Sequence, residues 1–124
     1  MMEIFKYAVE NDIANLQKNI DFTGIKDQNG KTLLHYAVLG SANDVIDYLL
    51  NQDVNVNIAD NMGETAIFDC ARKAKLFIAK KLISRYAKID LVNLKGESVL
   101  HLACHKGNLD MVRLFIEKGA NINQ

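Results

Sequence analysis

Apolar positions along this chain recur at helical spacing in short bursts, separated by polar turns rich in Asn, Asp and Gly. Val45, Ile46, Leu49 and Leu50 fall on one face of a predicted helix. So do Ile78, Leu82 and Ile83, and again Leu109, Val112, Phe115 and Ile116. A shorter predicted helix precedes each, over about 33–40, 66–73 and 99–106. A tight turn opens each of these: Asp27-Gln28-Asn29-Gly30, Asp60-Asn61-Met62-Gly63 and Asn93-Leu94-Lys95-Gly96. Asp and Asn side chains satisfy turn backbone, and Gly tolerates positive φ. The hydroxyl two residues after each glycine (Thr32, Thr65, Ser98) is an expected N-cap, accepting from the free N–H groups of the helix it opens.

The bursts keep register. Gly30, Gly63 and Gly96 lie 33 residues apart. Each is followed by the hydroxyl, then an aliphatic (Leu34, Ile67, Leu100), then His35, Phe68 or His101, then a small residue (Ala37, Cys70, Ala103). A fixed period of this length predicts stacked supersecondary units. Each unit is a turn finger plus two antiparallel helices, too short to persist alone in water and held by burial against neighbouring units. Residues 1–25 read as a degenerate N-terminal capping unit, with Ile4, Phe5, Ala8 and Val9 in its first helix and Ile13, Leu16 and Ile20 in its second. The expected units are therefore 1–25, 26–58, 59–91 and 92–124 of one domain, with Asn-rich returns such as Asp53-Val54-Asn55-Val56-Asn57 and Gly119-Ala120-Asn121-Ile122-Asn123.

Composition narrows the function classes only slightly. Lys plus Arg and Asp plus Glu are both 15, so net charge points to no partner. No apolar run reaches the roughly 18 residues of a membrane helix, and Met1 to Glu10 lacks the apolar core of a secretory signal. Cys70 and Cys104 are read as buried, reduced thiols on apolar helix faces. The expected location is cytoplasmic.

The pattern resembles the ankyrin repeat family, whose motif is a glycine turn, T-P-L-H-x-A, a Val- and Leu-rich second helix and G-A-x-x-N. The best copy is Gly96-Glu97-Ser98-Val99-Leu100-His101-Leu102-Ala103; the second is Gly30-Lys31-Thr32-Leu33-Leu34-His35-Tyr36-Ala37. The middle copy departs most, with Phe68 for the His and Lys73-Ala74 where a Gly would fall, and the motif's Pro is replaced by Leu33, Ala66 and Val99. The resemblance implies an all-α solenoid with projecting β-turn or hairpin fingers. It implies structural roles for Gly30, Thr32, His35, Gly63, Thr65, Gly96, Ser98 and His101, the histidines bonding backbone between adjacent fingers. It also implies a non-catalytic module that binds a partner protein through its concave face and fingertips. Carried over position by position, the binding residues are Asn29, Lys31, Asn61, Met62, Glu64, Leu94, Lys95 and Glu97 at the tips, with Gln28 beside them. On the first helices they are Leu39, Arg72, Lys73, His105 and Lys106. Leu39, Met62 and Leu94 are expected to be exposed apolar groups among charges, as on protein-binding surfaces.

Catalytic and metal chemistry find no constellation. His101, Cys104 and His105 share a helix, yet a zinc site needs three or four converging ligands. Ser98 near His101 is better used as an N-cap than as a nucleophile. No catalytic residues, metal site or cofactor are expected. Charge patterning is more informative. Between Cys70 and Ile89 stand seven basic residues and no acidic one: Arg72, Lys73, Lys75, Lys80, Lys81, Arg85 and Lys88. One reading is a solvated stripe compensated by Asp44, Asp47, Asp53 and Asp60 of the preceding unit. Another is a basic stripe meeting an acidic partner. A nucleic acid or other anionic surface is the weaker version, because the stripe carries only Phe77, expected to be partly core, and Tyr86 as stacking aromatics. Met62, Arg72 and Lys73 form the expected hot spot, with Arg72→Glu plus Lys73→Glu expected to weaken binding while sparing helix content. The last unit keeps His101, Val112 and Ile116 where a terminal unit should be polar. That predicts either a segment of a longer multidomain or multi-repeat protein, or self-association through that face.

Overall fold

The computed structural model describes residues 3–18 and 25–119. Within them the chain forms α1 (Glu3–Val9), α2 (Ile13–Gln17), α3 (Leu33–Leu39), α4 (Asn43–Asn51), α5 (Ala66–Lys73), α6 (Leu76–Ser84), α7 (Val99–His105) and α8 (Leu109–Glu117). The odd-numbered helices form one row, α1 against α3, α3 against α5 and α5 against α7, and each packs on the even-numbered helix that follows it. This is an all-α repeat solenoid. Ile20 and residues 120–123 of the last Asn-rich return lie outside the described residues.

The last three helix pairs turn through a left-handed residue at the same register: Ser41 (φ 50), Ala74 (φ 60) and Gly107 (φ 70). The predicted glycine position thus keeps its conformation even where Ala74 replaces Gly, a choice that costs about 1–2 kcal/mol for an L-residue. Gly40 has a different constraint. A Cβ there would stand 2.1 Å from the Val9 carbonyl oxygen, so the absent side chain lets the first two units close on each other.

One continuous core runs through the stack. Phe5, Phe68, Phe115, Leu16, Ile46, Leu49, Ile67, Leu82 and Met111 are fully buried. A helix of seven to nine residues is only about 10–14 Å long, and burial of this row is what holds each one. Cys70 is buried, and burial pushes its thiol up to about 12, so it is inert at neutral pH. Cys104 corrects the sequence reading: it is exposed. Its equivalents one and two units back, Ala71 and Val38, are fully buried because the next unit covers them. Phe77, expected to be partly core, is also exposed, because it lies outside the stripe of Ile78, Ala79 and Leu82 that α6 buries.

Candidate protein-docking face of fingers and inner helices

Each finger is tied by its own acid or amide. The Asp27 carboxylate accepts from the N–H groups of Asn29 and Lys31, both at 2.9 Å. Asp60 does the same for Met62 and Glu64, and Asn93 for Lys95 and Glu97. Gly30, Gly63 and Gly96 supply the positive φ of 76° to 78° that closes each turn. The fingers are then laced together. Asn61 N–H donates to the Asn29 carbonyl and Leu94 N–H to the Met62 carbonyl, both at 2.9 Å. Asn61 Nδ2 adds a bond to the Gln28 carbonyl at 3.0 Å.

His35 joins finger to helix. Its Nδ1 accepts from the Thr32 N–H at 3.0 Å, so in the neutral ring Nε2 carries the proton and donates to the Glu64 carbonyl at 2.8 Å. Burial holds His35 below its ordinary value of 6.5, against the opposing effect of that carbonyl. Thr32 and Ser98 cap α3 and α7 as expected, in reciprocal boxes with His35 and His101. Thr65 does not. Its helix starts without a side-chain cap bond, and its buried Oγ1 has no partner among the described residues. The Phe68 N–H donates instead to the Thr65 carbonyl at 3.1 Å, and the Phe68 ring has no nitrogen to accept from the Thr65 N–H, so neither half of the box forms.

The predicted tip residues divide into two sets. Asn29, Asn61, Met62, Leu94 and Lys95 are exposed, as are Gln28, Lys73, His105 and Lys106. Met62 is 50% exposed and Leu94 73%, and a backbone bond joins these two apolar residues of adjacent fingers. Lys31, Glu64, Arg72 and Glu97 are half-buried and engaged. Lys31 Nζ meets the buried Asp60 at 2.9 Å. Arg72 bridges Glu64 at 2.7 Å and Asp69 at 3.1 Å, and Asn93 Nδ2 bonds both Glu64 and Glu97. Leu39 is a correction. It is half-buried rather than exposed, packed at the end of α3 under the Lys75 side chain that bonds its carbonyl.

Asp69, missed in the sequence, is a buried carboxyl pushed up by burial despite nearby cations. Its spacing from Arg72, three residues along one helix, was the available signal. The hydrogen bond from the Tyr36 hydroxyl to Asp27 was also missed. Burial and that bond push the phenol up to about 12.

Three residues of the basic stripe, Lys75, Arg85 and Lys81, clamp their unit to the one before it. Lys75 Nζ donates to the carbonyls of Val38 and Leu39 and to Ser41 Oγ, at 2.6, 2.9 and 2.8 Å, closing the end of α3. Arg85 does likewise for α4 through the Leu50 carbonyl and Asn51 Oδ1. Lys81 pairs with Asp47 at 2.8 Å. Among the described residues, Asp47 is the one expected compensating acid that pairs with the stripe. Asp60 goes to Lys31, and Asp44 accepts from Asn11. The stripe finds carbonyls more than carboxylates because its long side chains reach back across the interface to helix ends.

Residues 3–93 match the model for ankyrin repeats in three copies, and residues 95–124 match a further ankyrin repeat. The chain is 37% identical over 89 residues to the tyrosine-protein kinase Shark of Drosophila melanogaster, covering 71% of this chain and 10% of that one. It is 34% identical over 102 residues to ankyrin repeat domain-containing protein 53 of Mus musculus, covering 75% and 20%. It is 33% identical over 97 residues to ankyrin repeat protein nuc-2 of Neurospora crassa, covering 77% and 9%. The chain spans less than half the length of the relatives it matches. No helix among the described residues is long and apolar enough to cross a membrane. The chain belongs to the ankyrin repeat family, whose repeats generally serve as protein-interaction modules and are generally non-catalytic.

Proposed function

We propose that this chain is a non-catalytic recognition module that docks one partner protein on its fingertips and inner helices. The contact residues in this reading are Asn29, Lys31, Asn61, Met62, Glu64, Leu94, Lys95 and Glu97, with Leu39, Arg72, Lys73, His105 and Lys106 below them. One observation carries it: hydrogen bonds between fingers hold exposed Met62 and Leu94 as neighbours before any partner arrives. A surface fixed in advance loses little ordering entropy on binding. The partner is acidic in this reading, because the acids of the face are engaged with Lys31, Arg72 and Asn93 while Lys73, Lys95 and Lys106 stand exposed. The unpaired thiols of Cys70 and Cys104 support a cytoplasmic setting. The units are 1–25, 26–58, 59–91 and 92–124.

Arg72 is a poor site for a charge-reversal test, since Arg72→Glu would set a third acid against Glu64 and Asp69. Met62→Glu with Lys73→Glu leaves the clamps intact. In capture from lysate of the source cells, a protein retained by the wild type and lost by this variant supports the reading. Identical capture by both contradicts it.

A second reading rests on the exposure of Cys104, at a position buried one and two units earlier. Here the chain is a segment of a longer protein whose next unit, or a second copy of this chain, covers that face.

A further inference from the structure

The first finger differs from the other two in the residue before its glycine. Asn29 precedes Gly30, where the second finger has Met62 before Gly63 and the third has Lys95 before Gly96. Asn29–Gly30 is the one Asn–Gly pair in the chain. Such a pair carries its own electrophile and nucleophile. The side-chain carbon Cγ of the Asn can meet the next backbone nitrogen, and glycine has no side chain to crowd that approach. Asn29 is exposed, and its side-chain amide has no hydrogen-bond partner among the described residues. The peptide unit that joins the two residues is held at both ends. Its N–H, that of Gly30, donates to the Asp27 carbonyl at 3.0 Å and closes the turn. Its carbonyl, that of Asn29, accepts from the Asn61 N–H at 2.9 Å and laces the first finger to the second. A peptide unit is planar, so the two groups cannot turn separately. For the Gly30 nitrogen to reach Cγ, its N–H must leave Asp27, and the same rotation carries the Asn29 carbonyl away from Asn61.

We propose that Asn29 is a site of spontaneous deamidation whose rate is set by release of this lace, and whose isoaspartate product cannot restore it. In the first step the Gly30 nitrogen gives up its proton and bonds to Asn29 Cγ, and the Cγ–Nδ2 bond breaks. Nδ2 leaves as ammonia, taking up a proton in place of the one Gly30 lost, and a succinimide ring remains. Water then opens the ring at one of its two carbonyls. Opening at Cγ leaves an aspartate in an unaltered backbone. Opening at the α-carbonyl leaves isoaspartate: the chain now runs through Cβ and Cγ, and the former lacing carbonyl is part of a free carboxylate. This second route abolishes the lacing peptide unit and lengthens the turn by one methylene. Both routes set a new carboxylate near that of Asp27, which already accepts from the Asn29 and Lys31 N–H groups. The inference is independent of finger docking, because it needs only the turn and its lace.

The test ages the whole wild-type chain in mildly alkaline buffer, at rising guanidinium chloride from none to full unfolding. Mass spectrometry follows the tryptic fragment Asp27–Lys31, whose asparagine, aspartate and isoaspartate forms separate by mass and retention. Hydrogen exchange at the Asn61 amide is read under the same conditions. Both processes need the same opening, so conversion at Asn29 should be slower in the folded than in the unfolded chain by the protection factor of Asn61, within about threefold at each guanidinium concentration. In the isolated isoaspartate chain the Asn61 amide should exchange as fast as a solvated turn, while the Leu82 amide stays protected. Four results overturn the proposal. Conversion in the folded chain could equal that in the unfolded chain. It could be absent at every concentration short of unfolding. Its slowing could depart from the Asn61 protection factor by more than about tenfold. Or the Asn61 amide could remain as protected in the isoaspartate chain as in the original.

Discussion

Thr32 and Thr65 occupy the same position one unit apart and do different work. Thr32 caps α3, with His35 returning the bond; Thr65 faces Phe68 and leaves a buried hydroxyl unpaired. Replacing Thr32 by Val removes a cap and is expected to cost about 1–2 kcal/mol. The same change at Thr65 removes an unsatisfied polar atom and is expected to be within about 0.5 kcal/mol of neutral, or stabilising. Urea denaturation of the two variants reads the difference directly, and equal losses would refute it. His35 makes stability depend on pH. Its folded-state value lies below 6.5, so the unfolded chain takes the proton first. Stability is complete above 6.5 and falls as pH drops below it, as the unfolded chain takes up the proton that buried His35 resists. Melting temperature across this window should fall for the wild type and fall less for His35→Gln. The Gly, Thr and His positions were legible in sequence because each acts within a few residues of itself. Phe68 was visible too, yet its consequence for Thr65 appears only when the cap geometry is seen.

Helix α3 shows how a short element survives. Its N-terminus is closed locally by Thr32, but its C-terminal carbonyls are closed by Lys75, a residue of the following unit. Cations at a helix C-terminus also meet the negative end of the dipole. Lys75→Met keeps most of the stem and deletes the three bonds, so it is expected to lower unfolding free energy by about 1.5–3 kcal/mol. An unchanged denaturation midpoint would show that the clamp carries nothing. Sequence reading found the lysines of this stripe but assigned them to solvent or a partner. The bonds that absorb Lys75 and Arg85 span 34 to 37 residues, and no local pattern marks a carbonyl as their target.

The stack as a whole turns weak local structure into a fixed surface. The 33-residue register fixes which residues of successive units meet, so the fold was legible from the repeat alone. Exposure was less so. Leu39 and Cys104 were misjudged because their burial depends on the neighbouring unit: Lys75 reaches over the first, and no equivalent of the covering unit shields the second among the described residues. Phe77 was misjudged because its helix buries a narrower stripe than its apolar content suggests.

The central claim is that the fingertips are held in place before any partner binds. Native-state hydrogen exchange at the amides of Asn61 and Leu94 tests it most directly, because these two N–H groups make the bonds between fingers. The account predicts that both exchange slowly, with protection approaching that of core amides such as Leu49 and Leu82. Exchange as fast as that of an open, solvated turn would contradict it.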